Sequence, residues 1–180
     1  MADKRSLWNE AGKGGLILGG ISIAYLLLTW LMSKLTGDSI GMNFLVNMLG
    51  FVLWGLKLAL CIIMMRRLIL GFHSRNPESD SGRLFRYGFL IALYSAVLYS
   101  AFYLVYVLYI NPEAVTASFD AVREMYSGSL DSATMEEIEN MRSSMPTTTF
   151  FFNFIWCVLF GTVLSAIFSK KAAPSDPFAE

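Results

Sequence analysis

The sequence predicts an all-α membrane protein: a four-transmembrane-helix bundle with an extracytoplasmic amphipathic helical hairpin between helices three and four. Three observations predict it. Charge is scarce: 16% of the 180 residues are charged, against about 25% in a soluble domain. The charges are also segregated, with none in Gly14–Ser33, Tyr87–Pro112 or Ser143–Ser169. Each of those runs reaches the ~20 residues that a helix needs to cross the ~30 Å hydrocarbon core. So does Ser39–Met65, which only Lys57 interrupts. Finally, the basic residues divide unequally. Lys4, Arg5, Lys13, Arg66, Arg67, Arg75, Arg83, Arg86, Lys170 and Lys171 would share one side, with only Lys34, Arg123 and Arg142 on the other. The positive-inside bias then puts both termini and the 66–86 connection in the cytoplasm.

The expected organisation is one membrane domain, 1–171, with spans at about 14–33, 43–65, 87–110 and 150–168. An outer helical segment covers 112–145, and 172–180 is a disordered cytoplasmic tail. The first apolar run is longer than a signal-peptide core of 7–15 residues and lacks a small-residue cleavage pattern, so it should remain as span one.

Span one carries Gly12, Gly15, Gly19, Ser22, Leu26, Thr29 and Ser33 at steps of three and four, which places them on one helix face. Leu18 lies off that seam. Lipid gives helices no hydrophobic reason to associate, so close approach at small residues supplies the packing. Gly15 and Gly19 are therefore packing positions, as are Gly88 and Ala92 in span three and Gly161 in span four. Trp8 is placed like an interfacial anchor. Span two has a seam of Asn43, Asn47, Gly50, Trp54, Lys57 and Cys61, which turns Lys57 into the bundle. The loop that follows, 71–86, holds His73 and two turn signals, Asn76-Pro77 and Ser81-Gly82. Span three carries Gly88, Ala92, Ser95, Tyr99, Phe102 and Tyr106 on one face.

Between spans three and four, Asn111-Pro112-Glu113 reads as a helix start. Val115, Phe119, Val122 and Tyr126 give that helix an apolar stripe, and Ser127-Gly128-Ser129 breaks it. A second helix, about 134–144, begins at a Thr134-x-x-Glu137 capping box. It has an apolar edge of Ile138, Met141 and Met145, and Pro146 is expected to stop it. Span four repeats small or polar residues every fourth position: Asn153, Cys157, Gly161, Ser165 and Ser169.

The chain resembles the bacterial membrane proteins grouped as domain of unknown function 4199. The resemblance rests on the Gly14-to-Gly19 stretch of span one, the Arg83-to-Phe89 start of span three and Asn111-Pro112 at its end. It extends to the acidic 112–145 segment and a last span closing in Lys170-Lys171 before a Pro-Phe tail. It implies a four-span protein of the bacterial inner membrane, and it brings neither an activity nor site residues.

Lys57 is the residue that demands a chemical account. A lysine at a span centre costs about 2.5–3.5 kcal/mol on insertion scales. Arg66, at the inner boundary, is ~13.5 Å away at 1.5 Å per residue, beyond the reach of a lysine stem. No Asp or Glu lies within any span. Ser22, Tyr25, Tyr94, Ser95, Tyr99 and Thr162 fall at similar depth, and Lys57, Ser22, Tyr94, Ser95 and Tyr99 form the candidate intramembrane polar site. Two readings stay open. Either hydroxyls and carbonyls hold a structural lysine, the favoured reading, or the lysine binds an anion or relays a proton in an oligomeric transporter or channel.

Nothing else points to chemistry. Cys61 and Cys157, assigned to different depths, are not expected to pair, and His73 has no ligand partner nearby in sequence. No phosphate loop, His pair or intramembrane carboxylate pair occurs. We therefore expect no catalytic residue, cofactor or metal, and no enzyme, but a structural or accessory membrane protein. Its expected partners are anionic lipid headgroups at the cytoplasmic arginines, a second copy of the chain or other membrane proteins; no nucleic acid is expected.

Overall fold

The computed structural model of the chain describes residues 2–34, 40–113, 116, 117, 120, 124, 125 and 132–173. Four long helices dominate them: α1 (Ala2–Ser33), α2 (Ile40–Arg75), α3 (Ser81–Val105) and α4 (Ser132–Ala172). They supply four stretches long and apolar enough to cross a membrane, Leu7–Ser33, Asn43–Arg75, Ser81–Ile110 and Asn140–Ala172, the third running on from α3 through a π-helical turn, Tyr106–Ile110. All four exceed the expected spans, because helical hydrogen bonding continues through the headgroup region while charge depletion stops at its edge.

Three boundaries differ from expectation for local reasons. The 71–86 loop contracts to residues 76–80, since α2 continues to Arg75 and so makes His73 helical. Arg75 Nε donates to the Gly71 carbonyl at 3.0 Å and Asn76 Nδ2 to that of Phe72 at 3.1 Å, which satisfies carbonyls left open at the helix end. Ser81-Gly82 is not a turn but the first turn of α3. Asp80 is its N-cap, its carboxylate accepting the Arg83 N–H at 3.1 Å, so a missed cap explains the error. Pro146 does not stop a helix either: it lies inside α4, which includes Thr134 and so absorbs the second outer helix. A proline costs about 3 kcal/mol within a helix by freeing one carbonyl, but near a membrane surface water and polar groups can satisfy it. Val115, Phe119, Val122, Tyr126 and the 127–129 break lie outside the described residues, as do the side chain of Ile138 and the tail from 174.

α3 is the centre of the bundle, packed most extensively against α4 and α1. Glycine makes this closeness possible. A Cβ at Gly15 would collide with Tyr94 and one at Gly19 with Leu98, while Gly88 faces Ser165 and Gly161 faces Ala92. The Ser165 hydroxyl donates to the Phe85 carbonyl at 2.9 Å, pinning α4 to α3. Leu18, expected off the seam, is buried, as are Ser22 and Leu26.

The core is concentrated at one end. Ala11, Met65, Ile69, Phe72, Leu84, Tyr87 and Leu164 belong to one buried cluster, with Leu7 and Ala173 packed against it. Phe72 stacks on Tyr87 at 4.2 Å between centroids, and Arg75 pairs with Glu10 at 3.0 Å. The start of α1, the α2–α3 connection and the end of α4 thus meet at the basic end of an antiparallel bundle. Toward the opposite end, α2 separates. Asn43 and Asn47 are exposed, and a side chain at Gly50 would meet nothing. The expected seam of span two therefore faces its neighbours only from Trp54, which is half-covered, onward.

Candidate intramembrane polar site

Lys57 lies midway along α2, where that helix begins to leave its neighbours. Its half-buried side chain reaches between α1 and α3. The ammonium nitrogen is 5.1 Å from the centroid of the Tyr25 ring and 4.9 Å from that of Tyr99. Tyr99 is 8% exposed, so one of these faces is well shielded from solvent. A cation over an aromatic face gains about 0.5–1 kcal/mol when exposed and about 2 or more when desolvated. Two such faces recover a large part of the insertion cost of the charge. Among the described residues no carboxylate is paired with it.

Beside the ammonium is a cavity of about 350 Å3 to which all four helices contribute. Ser22 comes from α1, Lys57 and Cys61 from α2, Ser95 from α3 and Cys157 from α4, with Trp54 and Trp156 among the apolar walls. The site thus gathers Lys57, Ser22, Ser95 and Tyr99. Tyr94 does not join them. It packs against Gly15 and meets Trp8 edge-on at 6.3 Å. One residue before Ser95 turns a helical side chain by about 100°, which suffices to take it off the face. Thr162 is also absent, its hydroxyl donating to the Val158 carbonyl of its own helix at 2.6 Å.

The two cysteines are what sequence reasoning missed. Both thiols are free and half-buried, and both border the cavity, as does Ser22. Spans bounded by the charge-free runs put the two cysteines at different depths. The midpoints of the apolar helices Asn43–Arg75 and Asn140–Ala172 fall at residues 59 and 156, beside both cysteines. The usable signal was the helical step of four from Lys57 to Cys61.

Chemically, the site can hold a cation by π faces and offers hydroxyl and thiol hydrogen-bonding groups. Among the described residues no cluster of three His, Cys, Asp or Glu side chains occurs. The positions singled out for packing, Gly15, Gly19, Gly88, Ala92 and Gly161, lie at the α1–α3 and α3–α4 contacts, and two of them, Ala92 and Gly161, also border the cavity. In comparisons with known proteins, the family model described as Protein of unknown function (DUF4199) matches residues 13–170. No curated protein and no solved structure matches the chain.

Proposed function

The chain belongs to the DUF4199 family of proteins of unknown function, and we propose that it is a structural or accessory protein of the bacterial cytoplasmic membrane, without enzymatic activity, that acts through protein or lipid partners. The observation that carries this reading is the packing of α2. This helix joins the bundle from Trp54 to Phe72 and leaves most of its Asn43-to-Leu53 part open, which is the arrangement of a span completed from outside. Both termini are cytoplasmic in this reading, since Arg75, Arg83, Arg86, Lys170 and Lys171 gather at the end where the start of α1 and the end of α4 meet. The 112–145 segment is then an outer helical hairpin whose second arm is the N-terminal extension of α4.

A second reading, an oligomeric transporter or channel with an anion or proton site at Lys57, draws support from the cavity beside that residue. One experiment separates the two. The purified protein in liposomes, followed with chloride- and proton-sensitive dyes, should give no flux above that of empty liposomes. A flux that Lys57→Met abolishes would replace the first reading with the second.

A further inference from the structure

Two grooves on the face between α1 and α3 meet at Trp8. The first, about 720 Å3, is lined at the basic end by Leu7, Trp8, Asp80, Arg83, Arg86 and Phe89. The second, about 660 Å3, continues past Trp8 along Lys13, Leu16, Tyr94, Val97 and Leu98. The character changes along the way, from two guanidinium groups to a trough of apolar side chains with Lys13 on its border. α1 and α3 run parallel here, with Gly15 against Tyr94 and Gly19 against Leu98, so the trough follows the bundle axis.

We propose that the joined grooves hold one anionic phospholipid from the leaflet at the basic end. Its phosphate lies on Arg83, Arg86 and Lys13, and one acyl chain lies along Leu16, Val97 and Leu98. The proposal rests on the reading above that the protein works through partners in the membrane, and it names the lipid among them.

Dimensions and charge both point to this occupant. The path from Arg86 to Leu98 is about 18 Å at 1.5 Å per residue, close to the roughly 15 Å of hydrocarbon in one leaflet, half the ~30 Å core. Arg86 is exposed and Arg83 half-buried, so both guanidinium groups can be presented at headgroup level while their stems lie along apolar surface. Trp8, 54% exposed at the junction, suits the membrane–water interface. Among the described residues one carboxylate borders the first groove, that of Asp80, which accepts the Arg83 backbone N–H at 3.1 Å. The basic groups at the headgroup end, Arg86 and Lys13 with Arg83, favour an anionic over a zwitterionic headgroup, and the apolar trough favours a lipid over free phosphate.

The test is native mass spectrometry of the full-length protein in a neutral detergent, titrated with phosphatidylglycerol, phosphatidylcholine or inorganic phosphate. Phosphatidylglycerol should be retained more tightly than phosphatidylcholine, and inorganic phosphate should not compete. Arg83→Ala and Arg86→Ala should each weaken phosphatidylglycerol by about fivefold, and by roughly twenty-five-fold together, from the ~1 kcal/mol that each basic residue contributes near an anionic surface. Arg66→Ala with Arg67→Ala removes the same charge outside the grooves and should leave binding unchanged. Leu16→Trp with Val97→Trp should obstruct the trough and weaken both lipids with the arginines in place.

Equal retention of the two phospholipids, a preference that survives loss of Arg83 and Arg86, or an equal loss in the Arg66/Arg67 variant would overturn the proposal. Displacement by inorganic phosphate would instead identify a simple anion site and overturn it as well. A fold check by circular dichroism keeps each variant interpretable, and the two tryptophan substitutions give a second route if an arginine variant unfolds. Liposome flux is read separately, so the groove can fail while the proposed function stands, and the reverse.

Discussion

At Lys57 the outcome of a substitution turns on two opposing magnitudes. Placing the charge in mid-span costs about 2.5–3.5 kcal/mol, and the faces of Tyr25 and Tyr99 return about 0.5–1 kcal/mol each, more if fully desolvated. Lys57→Met keeps the length, removes the charge and forfeits both ring contacts, so it should stabilise the purified protein by about 1 kcal/mol. Thermal unfolding in detergent measures this, and a clear loss of stability would mean that the ammonium has a stronger partner than two rings. Cys61 and Cys157 give an independent probe of the same cavity. A short membrane-permeant bismaleimide should join the two thiols within one chain, as read by peptide mass spectrometry. Recovery of singly modified peptides alone would contradict their shared cavity. That Lys57 turns inward was legible in its spacing from Trp54 and Cys61; that two π faces receive it was not, because sequence carries no measure of how neighbouring helices are offset along their axes.

Helix contacts depend on whether a side chain has room. Gly15, Gly19, Gly88 and Gly161 have none, while Gly20 on the opposite side of α1 meets nothing within 4 Å. Gly15→Leu and Gly161→Leu should each destabilise the bundle by about 1–3 kcal/mol, as overpacking does. Gly20→Leu should be mild, and equal shifts in melting temperature for all three would discount backbone proximity as the packing device. The small-residue seam of α1 was legible, because lipid leaves shape as the main discriminator between helix faces. Leu18, beside the seam, is buried all the same, because it faces the cavity shared by the four helices. Pro146 offers the complementary case. It lies inside α4, so Pro146→Ala should stabilise by up to about 3 kcal/mol, measured in the same melts. No gain would imply that the freed carbonyl is already fully satisfied.

For the molecule as a whole, the end of the bundle that holds the core also holds most of the basic residues. If that end is cytoplasmic, cysteines introduced singly on a background without Cys61 and Cys157 should respond oppositely to an impermeant thiol reagent. In intact spheroplasts Ser129→Cys should label and Arg75→Cys should not. The reverse pattern would invert the orientation and, with it, the leaflet assigned to the lipid groove. The openness of the bundle toward its other end has a mechanical consequence too. Few contacts hold the Asn43-to-Leu53 part of α2, so in amide exchange that part should open sooner than the part packed on Ile69 and Phe72.

By itself the sequence determined the number of spans, their alternation and the clustering of cationic residues. These depend on transfer energies that are nearly additive along the chain, so a count of charges in a window captures them. It also located the glycine contacts, since helical periodicity maps spacing onto faces. Only the tertiary structure decided where each helix ends, how α2 parts from its neighbours, and that Lys57, Cys61 and Cys157 border one space. The reason is register. An offset of one helical turn, 5.4 Å, changes which residues meet across an interface while leaving every window hydropathy and every face unchanged. In this bundle the offsets are set by Gly88 against Ser165 and Gly161 against Ala92, contacts between residues far apart in the chain.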